Sequence, residues 1–408
     1  MTKSKTIGST LIIAGTTIGA GMLALPIASA GIGFTASIFT MIALWALMAF
    51  TALLMVELHQ YADHDATLHT LATQILGNKG KFVGAFAMLF LFYALCAAYI
   101  AGGGAQFNSR LNDWTSLDLS PSSVTVVFTL IVATIITIGT STVDKVNRVL
   151  FIVKIITMAM VLSFLAPNVT RGYLMSMPVE QGLIFAALPV VFTSFGFHGS
   201  IPSIVRYLDG DTKSLRKVML IGSSLPLVIY IFWQTVTLGV IEQNLLIENS
   251  GLTALISTLS ATVNSEKLAS IVSVFADLAL LTSFLGVSLG LFEFLNDVMS
   301  SKSESSSANQ SKTNRIKASL VTFTPPLGFA LFYPEGFITA LGYAAIALVI
   351  LAIFLPVIMV HKVRRTQCQD NMYQVIGGSA ALFVAMATGI MIISAQLLVT
   401  VGALPALG

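Results

Sequence analysis

The chain has 408 residues, of which 56% are hydrophobic and only 10% are charged, and its formal net charge is +3 at neutral pH. A soluble globular protein needs a far more charged surface, so this composition excludes that class. We predict an all-α polytopic membrane protein, with the lipid bilayer as its surroundings.

Eleven apolar segments along the chain are long enough to cross a bilayer as helices. The loops between them are short, which predicts a single transmembrane domain over residues 1–408 and no separate soluble domain. In chain order the segments lie near 7–34, 35–59, 82–106, 121–140, 147–166, 181–207, 217–240, 267–295, 317–333, 336–361 and 373–398.

The first segment is interrupted by glycines within LIIAGTTIGAGMLALP, which runs from Leu11 to Pro26. Lipid cannot pair a free amide, so broken backbone at this depth must line a cavity enclosed by protein. We expect one half-helix to stop near Gly15 and the next to begin with unpaired amides, whose positive dipole favours a carboxylate. The predicted binding residues are Thr16, Thr17, Ile18, Gly19, Ala20 and Gly21.

The third and fifth segments carry polar groups at membrane depth. Tyr93 and Tyr99 in the third segment are candidate substrate contacts, although aromatic residues at such spacing also serve ordinary packing. Lys154 stands alone in the fifth segment. A charge at the centre of a membrane helix costs about 2.5–3.5 kcal/mol even on the mildest scale, so it usually marks an ion pathway. The alternative is a side chain that snorkels to the headgroups.

The sixth segment is interrupted in turn, within PVVFTSFGFHGSIPSI, at Gly196 and Gly199. Carbonyls at the end of its first half, near Ser194, suit an ammonium group. His198 either bonds a ligand hydroxyl, takes part in proton transfer, or caps freed carbonyls of its own helix. The predicted substrate contacts here are Thr193, Ser194, Phe195, Gly196, Phe197 and His198.

Two later segments complete the predicted substrate site. Ser283 in the eighth segment and Tyr343 in the tenth are expected at the same depth as the interruptions. A matched pair of broken helices is the best sequence indication of a transporter's binding site. An alternative is that the glycines only allow tight helix crossing.

The chain contains two halves that align with a nearly constant offset, 7–166 (segments one to five) and 181–361 (segments six to ten). An odd number of helices in each half makes the repeat inverted, as in the LeuT-like five-plus-five arrangement, with the segment 373–398 added as helix 11. Loops on the amino-terminal side hold 17 Lys and Arg residues and the opposite loops hold 3. This asymmetry predicts a cytoplasmic N-terminus and a periplasmic C-terminus.

No motif in the sequence indicates an enzyme. There is no Walker-type loop, no HExxH pair and no Ser–His or two-Asp constellation. We therefore expect no catalytic residue, cofactor or metal site, and we find no indication of a nucleic-acid partner or of an obligate protein partner.

Three stretches resemble one family: AGTTIGAGMLALP in segment one, FTSFGFHGSIPSI followed by Arg206 and Tyr207 in segment six, and FADLAL and TSFLGVSLGLF, separated by Leu281, in segment eight. They are similar to the bacterial aromatic amino acid permeases, the hydroxy/aromatic family of the amino acid–polyamine–organocation superfamily, and most resemble the tyrosine-specific members. The resemblance implies an inner-membrane symporter that imports an aromatic amino acid together with a proton.

The same resemblance implies a role for Lys154. In related members of the superfamily a lysine on the fifth helix replaces a sodium ion between helices one, five and eight. It also implies alternating access, with segments one, two, six and seven rocking against the rest. Two alternatives stay open, which are a sodium-coupled symporter of the same fold and an amino acid sensor that binds without transport.

Overall fold

The computed structural model describes residues 3–115, 119–176, 183–248, 251–262, 266–300, 308–366 and 372–405. Every regular element in these ranges is a helix and no strand occurs in them. The all-α class expected from the composition is confirmed. The physical reason is that a helix pairs its own backbone groups and needs no water to do so.

The described part of the chain contains eighteen α-helices. The first eight are α1 (Lys3–Thr17), α2 (Gly21–Ser29), α3 (Gly33–Leu58), α4 (Leu68–Leu76), α5 (Asn78–Trp114), α6 (Pro121–Ile138), α7 (Thr140–Leu165) and α8 (Arg171–Met175). The others are α9 (Leu183–Ser194), α10 (Ile201–Tyr207), α11 (Thr212–Val240), α12 (Gln243–Glu248), α13 (Leu252–Thr262), α14 (Glu266–Ser300), α15 (Ala308–Phe332), α16 (Phe337–Val349), α17 (Leu355–Thr366) and α18 (Gly378–Thr400).

Local sequence explains where several helices begin. At α6 the Ser120 hydroxyl accepts a hydrogen bond from the Ser123 N–H at 3.3 Å, and Pro121, which has no N–H to satisfy, takes the first helical position. At α4 the Thr67 hydroxyl accepts from the Thr70 N–H at 3.1 Å. Both caps satisfy amides that the first helical turn leaves unpaired.

Nine of the described helical segments are long and apolar enough to cross a membrane. The number is ten if α1 and α2, which meet at a bend of 52°, count as one span. The protein is therefore a polytopic membrane protein. The predicted ninth segment lies within α15, which continues through Pro325 and Pro326 but is not one of these ten. Eleven crossings therefore stay a prediction.

The described residues of 1–91, 177–234 and 342–406 form one compact unit. At its core α2 packs on α9, and every residue of α2 after Gly21 is buried. The largest fully buried side chains of this unit are Trp233, Tyr230, Phe192 and Phe195.

The described residues of 92–176 and 235–341 form a second compact unit. In it α14 packs along α7 and also contacts α13 and α15. Its core contains a chain of aromatic contacts. The Phe128 ring centroid lies 6.0 Å from that of Phe107 and 5.8 Å from that of Phe284. These rings tie α5, α6 and α14 together.

Candidate functional site

The first predicted interruption is present, between the end of α1 at Thr17 and the start of α2 at Gly21. The expectation that the first half-helix stops near Gly15 is wrong by two residues, because the Ile18 N–H still bonds the Ala14 carbonyl at 2.8 Å and so closes one more turn. In the described part of the chain, the N–H groups of Gly19 and Gly21 have no hydrogen-bond acceptor. The break thus leaves amides available at the start of α2, as expected of a new helix.

The second predicted interruption is also present. Helix α9 ends at Ser194, as expected, and a short 3₁₀ turn over His198–Ser200 leads into α10. The N–H groups of Phe195 and Gly196 still bond carbonyls of α9, both at 3.1 Å. Within the described ranges, the next three N–H groups, those of Phe197, His198 and Gly199, find no acceptor.

The two interruptions cross each other at Gly21 and Ser194. A Cβ atom on Gly21 would lie 3.1 Å from the Ser194 Cα, which is closer than side-chain carbons ordinarily approach a backbone. The Ser194 hydroxyl lies 3.0 Å from the Gly21 carbonyl and 3.0 Å from the Val190 carbonyl, both acceptors for its proton. Glycine favours this crossing because a Cβ here would force the two backbones apart by a few tenths of an ångström.

Tyr230 on α11, which the sequence analysis missed, joins the ends of the two half-helices. Its hydroxyl lies 2.6 Å from the Thr17 carbonyl and 2.9 Å from the Ser194 carbonyl. These are the carbonyls of the last residues of α1 and α9, where the helix dipole is negative. The Tyr230 ring packs edge-on against Phe195, with centroids 5.3 Å apart.

A sequence signal could have found this residue. Gln234 follows Tyr230 by one helical turn, and its Nε2 donates to the Ser29 hydroxyl at 2.7 Å and the Leu25 carbonyl at 3.3 Å. Polar side chains four residues apart share one helix face. In an apolar membrane helix such a polar face normally points into the protein.

His198 is 3% exposed and bonds a neighbouring helix. Its Nε2 lies 2.9 Å from the Thr51 hydroxyl on α3, and the same hydroxyl lies 3.2 Å from the Met48 carbonyl. Its Nδ1 is buried and has no partner in the described part of the chain. In either tautomer, therefore, one nitrogen of this ring is left to a ligand or to water. Its ring also lies 5.1 Å from that of Phe197.

Lys154 belongs to the second unit and is 2% exposed, so its side chain does not snorkel. Its Nζ donates to the Thr282 hydroxyl on α14 at 3.2 Å and lies 4.7 Å from the centroid of the Phe151 ring. The Thr282 hydroxyl in turn donates to the Leu278 carbonyl at 2.8 Å.

The other predicted contacts are distributed over both units. In the second unit, Tyr99 and Ser283 are hydrogen-bonded to each other. Tyr93 instead donates its hydroxyl to the Val321 carbonyl at 2.8 Å, which favours a packing role. In the first unit, Tyr343 lies half-buried on α16.

The side chains of the predicted threonines bond their own helices. Thr16 is exposed and donates to the Ile12 carbonyl, Thr17 is buried and donates to the Ile13 carbonyl, and Thr193 donates to the Pro189 carbonyl. At the two interruptions the structure therefore brings together mainly backbone groups and few polar side chains. Ile18 and Ala20 lie buried beside Thr17, and Gly196 approaches Leu348.

The chain is similar to known permeases over nearly its whole length. The model of the tryptophan/tyrosine permease family matches residues 2–396. Tyrosine-specific transport system 1 of Haemophilus influenzae is 45% identical over 98% of this chain and 99% of its own, and system 2 is 39% identical over 99% of both. The tryptophan-specific transport protein of the same organism is 34% identical over 96% of this chain and 95% of its own. The chain therefore belongs to the tryptophan/tyrosine permease family.

Proposed function

We propose that the protein imports an aromatic amino acid, foremost L-tyrosine, across the bacterial inner membrane by alternating access. The observation on which this depends is the crossing of the two broken helices at Gly21 and Ser194. Unpaired N–H groups of Gly19 and Gly21 favour a carboxylate, and the nearby carbonyl ends of α1 and α9 favour an ammonium group. An α-amino acid carries both groups on one carbon atom.

The second interruption supplies the side chains that would recognise the rest of the ligand. Phe195 and Phe197 flank the break and offer aromatic surface. The unpartnered Nδ1 of His198 would bond a phenol hydroxyl, which can donate or accept and so satisfies either tautomer. The names of the two tyrosine-specific relatives support tyrosine over tryptophan.

Lys154 is the group that we propose couples transport to protons. The lysine is buried at membrane depth, where an ionisable side chain usually marks an ion pathway. Because the lysine itself supplies the positive charge, this model needs no sodium ion.

The proposal includes the topology predicted from the sequence. Eleven crossings would form an inverted repeat of 7–166 and 181–361 with helix 11 at 373–398, the N-terminus cytoplasmic and the C-terminus periplasmic. The 17-to-3 distribution of Lys and Arg and the matched interruptions of α1–α2 and α9–α10 support it. The permease relatives support a transporter and not an enzyme.

Uptake by proteoliposomes that contain the purified protein tests the proposal. Labelled tyrosine should accumulate when an inward proton gradient is imposed in sodium-free buffer. Accumulation only after sodium is added would support a sodium-coupled symporter. Tyrosine binding without any flux would support a sensor.

The coupling role needs its own variant, Lys154→Ala. We expect this variant to lose gradient-driven accumulation while it still exchanges internal for external tyrosine, since exchange needs the site but no net proton movement. Lys213→Ala, which removes an exposed lysine at the start of α11, is the matched control and should accumulate tyrosine normally. Normal accumulation by Lys154→Ala would refute the role.

A further inference from the structure

The second unit contains a cavity that none of the residues of the two interruptions lines. Its volume is about 150 Å³. Its apolar wall is formed by Phe107, Phe128, Leu280, Leu281 and the backbone of Gly103. A Cβ on Gly103 would lie 2.6 Å from the Phe128 ring, so the glycine leaves room for that ring. A cavity of about this volume with a similar lining accepts a benzene ring in other proteins.

One edge of the same cavity is polar and charged. It is lined by Gln106, Arg110 and Asp277, and the Arg110 Nε donates to the Asp277 Oδ2 at 3.0 Å. Three further atoms of these side chains are buried and have no hydrogen-bond partner among the described residues: Arg110 Nη2, Asp277 Oδ1 and Gln106 Nε2. Gln106 is only 4% exposed.

The unpartnered atoms are two donors and one acceptor beside an apolar pocket. Buried polar groups are nearly always hydrogen-bonded, so three in one place indicate a missing partner. A carboxylate would accept from Arg110 Nη2 and Gln106 Nε2, as charged acceptors do most favourably with a guanidinium. An ammonium would donate to Asp277 Oδ1.

We propose that this cavity is a second binding site for an aromatic α-amino acid, with its ring against the Phe107 and Phe128 rings and its charged groups on Arg110 and Asp277. The class of ligand rests on the proposed function; the site itself rests on the cavity and its unpartnered atoms. Arg110 lies near the end of α5, at Trp114, which the proposed topology directs to the outside.

Binding stoichiometry tests this site. Purified full-length protein in detergent is equilibrated with labelled L-tyrosine, and the wild type should bind two equivalents per chain. The double variant Arg110→Leu with Asp277→Leu should bind one, since removing both charges together leaves neither one buried alone. The control Asp144→Asn with Arg148→Gln removes an exposed ion pair and should bind two.

A second variant keeps the test valid if the double variant does not fold. Gln106→Leu removes one unpartnered donor at similar volume, and it should weaken only one of the two equivalents, by about tenfold. In the wild type, tyramine, which lacks the carboxylate, should not displace tyrosine from the second site.

Each outcome separates this inference from the proposed function. A wild type that binds one equivalent, which the double variant keeps, overturns the second site and leaves the transporter proposal intact. Loss of both equivalents in a folded double variant also overturns it, because the ion pair would then belong to the first site. A wild type that binds no tyrosine overturns the proposed function itself.

Discussion

The two interruptions differ in what they offer to a ligand. Between α1 and α2 two of the three residues, Gly19 and Ala20, are small, and the available groups are the backbone N–H groups of Gly19 and Gly21. Between α9 and α10 the backbone is accompanied by the buried side chains of Phe195, Phe197 and His198. The break between α1 and α2 offers backbone groups, which can bind the carboxylate of any α-amino acid. The break between α9 and α10 also offers side chains, which can distinguish one amino acid side chain from another.

This difference assigns separate roles to the two breaks. Backbone groups recognise the carboxylate and ammonium, which all amino acids share, so changes at the first break should affect all substrates alike. Side chains at the second break should change preference among substrates. The shared contact of both breaks with Tyr230 holds the two parts in fixed register.

The largest effect is expected from Gly21→Ala. The added Cβ would lie 3.1 Å from the Ser194 backbone, and overpacking of this kind costs about 1–3 kcal/mol. Binding of tyrosine, phenylalanine and tryptophan should weaken by about tenfold or more, each by a similar factor, in a competition assay. Gly8→Ala, where the nearest atoms are 3.9 Å away, is the control on α1 and should bind normally. A Gly21→Ala variant that loses tyrosine alone would contradict the division of roles.

Tyr230→Phe should have the next largest effect. It leaves the Thr17 and Ser194 carbonyls without their hydroxyl donor, and a buried unsatisfied group costs about 1–3 kcal/mol. We expect a lower unfolding temperature and a similar loss of affinity for all three aromatic amino acids. Tyr333→Phe removes an exposed hydroxyl and should leave both measurements unchanged. Unaltered thermal stability of Tyr230→Phe would show that the two half-helices hold together without it.

His198→Asn should change the preference among aromatic amino acids and should have the smallest effect of the three substitutions. The substitution removes the ring nitrogen that would bond the phenol hydroxyl. The affinity for tyrosine should therefore fall by about three- to tenfold relative to the affinity for phenylalanine. Competition by phenylalanine and tryptophan against labelled tyrosine measures it. Thr51→Val, which removes the partner of Nε2, should shift preference the same way but less. If neither variant alters the competition, the His198 ring serves only to bond Thr51 and to pack against Phe197.

Much of the architecture could be predicted because lipid restricts it so strongly. The helical class and most of the crossings follow from the length of the apolar segments. Both interruptions follow from glycines at a depth where a broken backbone must be enclosed by protein. The end of α1 was misplaced because Gly15 is compatible with a helix, and only the geometry of the Ile18 amide decides which turn is the last.

The face to which a side chain points was harder to predict than its depth. Thr16 and Thr17 are neighbours at one depth, yet the first is exposed and the second is buried. Tyr93 lies at a suitable depth but bonds the Val321 carbonyl. Tyr230 was not predicted as a site residue because its segment shows no interruption. Its role depends on where α1 and α9 end.

Helix α2 has a consequence for the order of events during synthesis. With nine residues it rises only about 13 Å, less than half of the hydrocarbon thickness, and its side chains after Gly21 are covered by protein. Its main neighbour α9 leaves the ribosome more than 150 residues later. Until then α9 cannot cover the break, so we expect residues 7–29 to cross the bilayer as one continuous helix. We therefore expect the bend between α1 and α2 to form only after α9 has entered the membrane. Helix α9 then covers the unpaired amides at the break with protein.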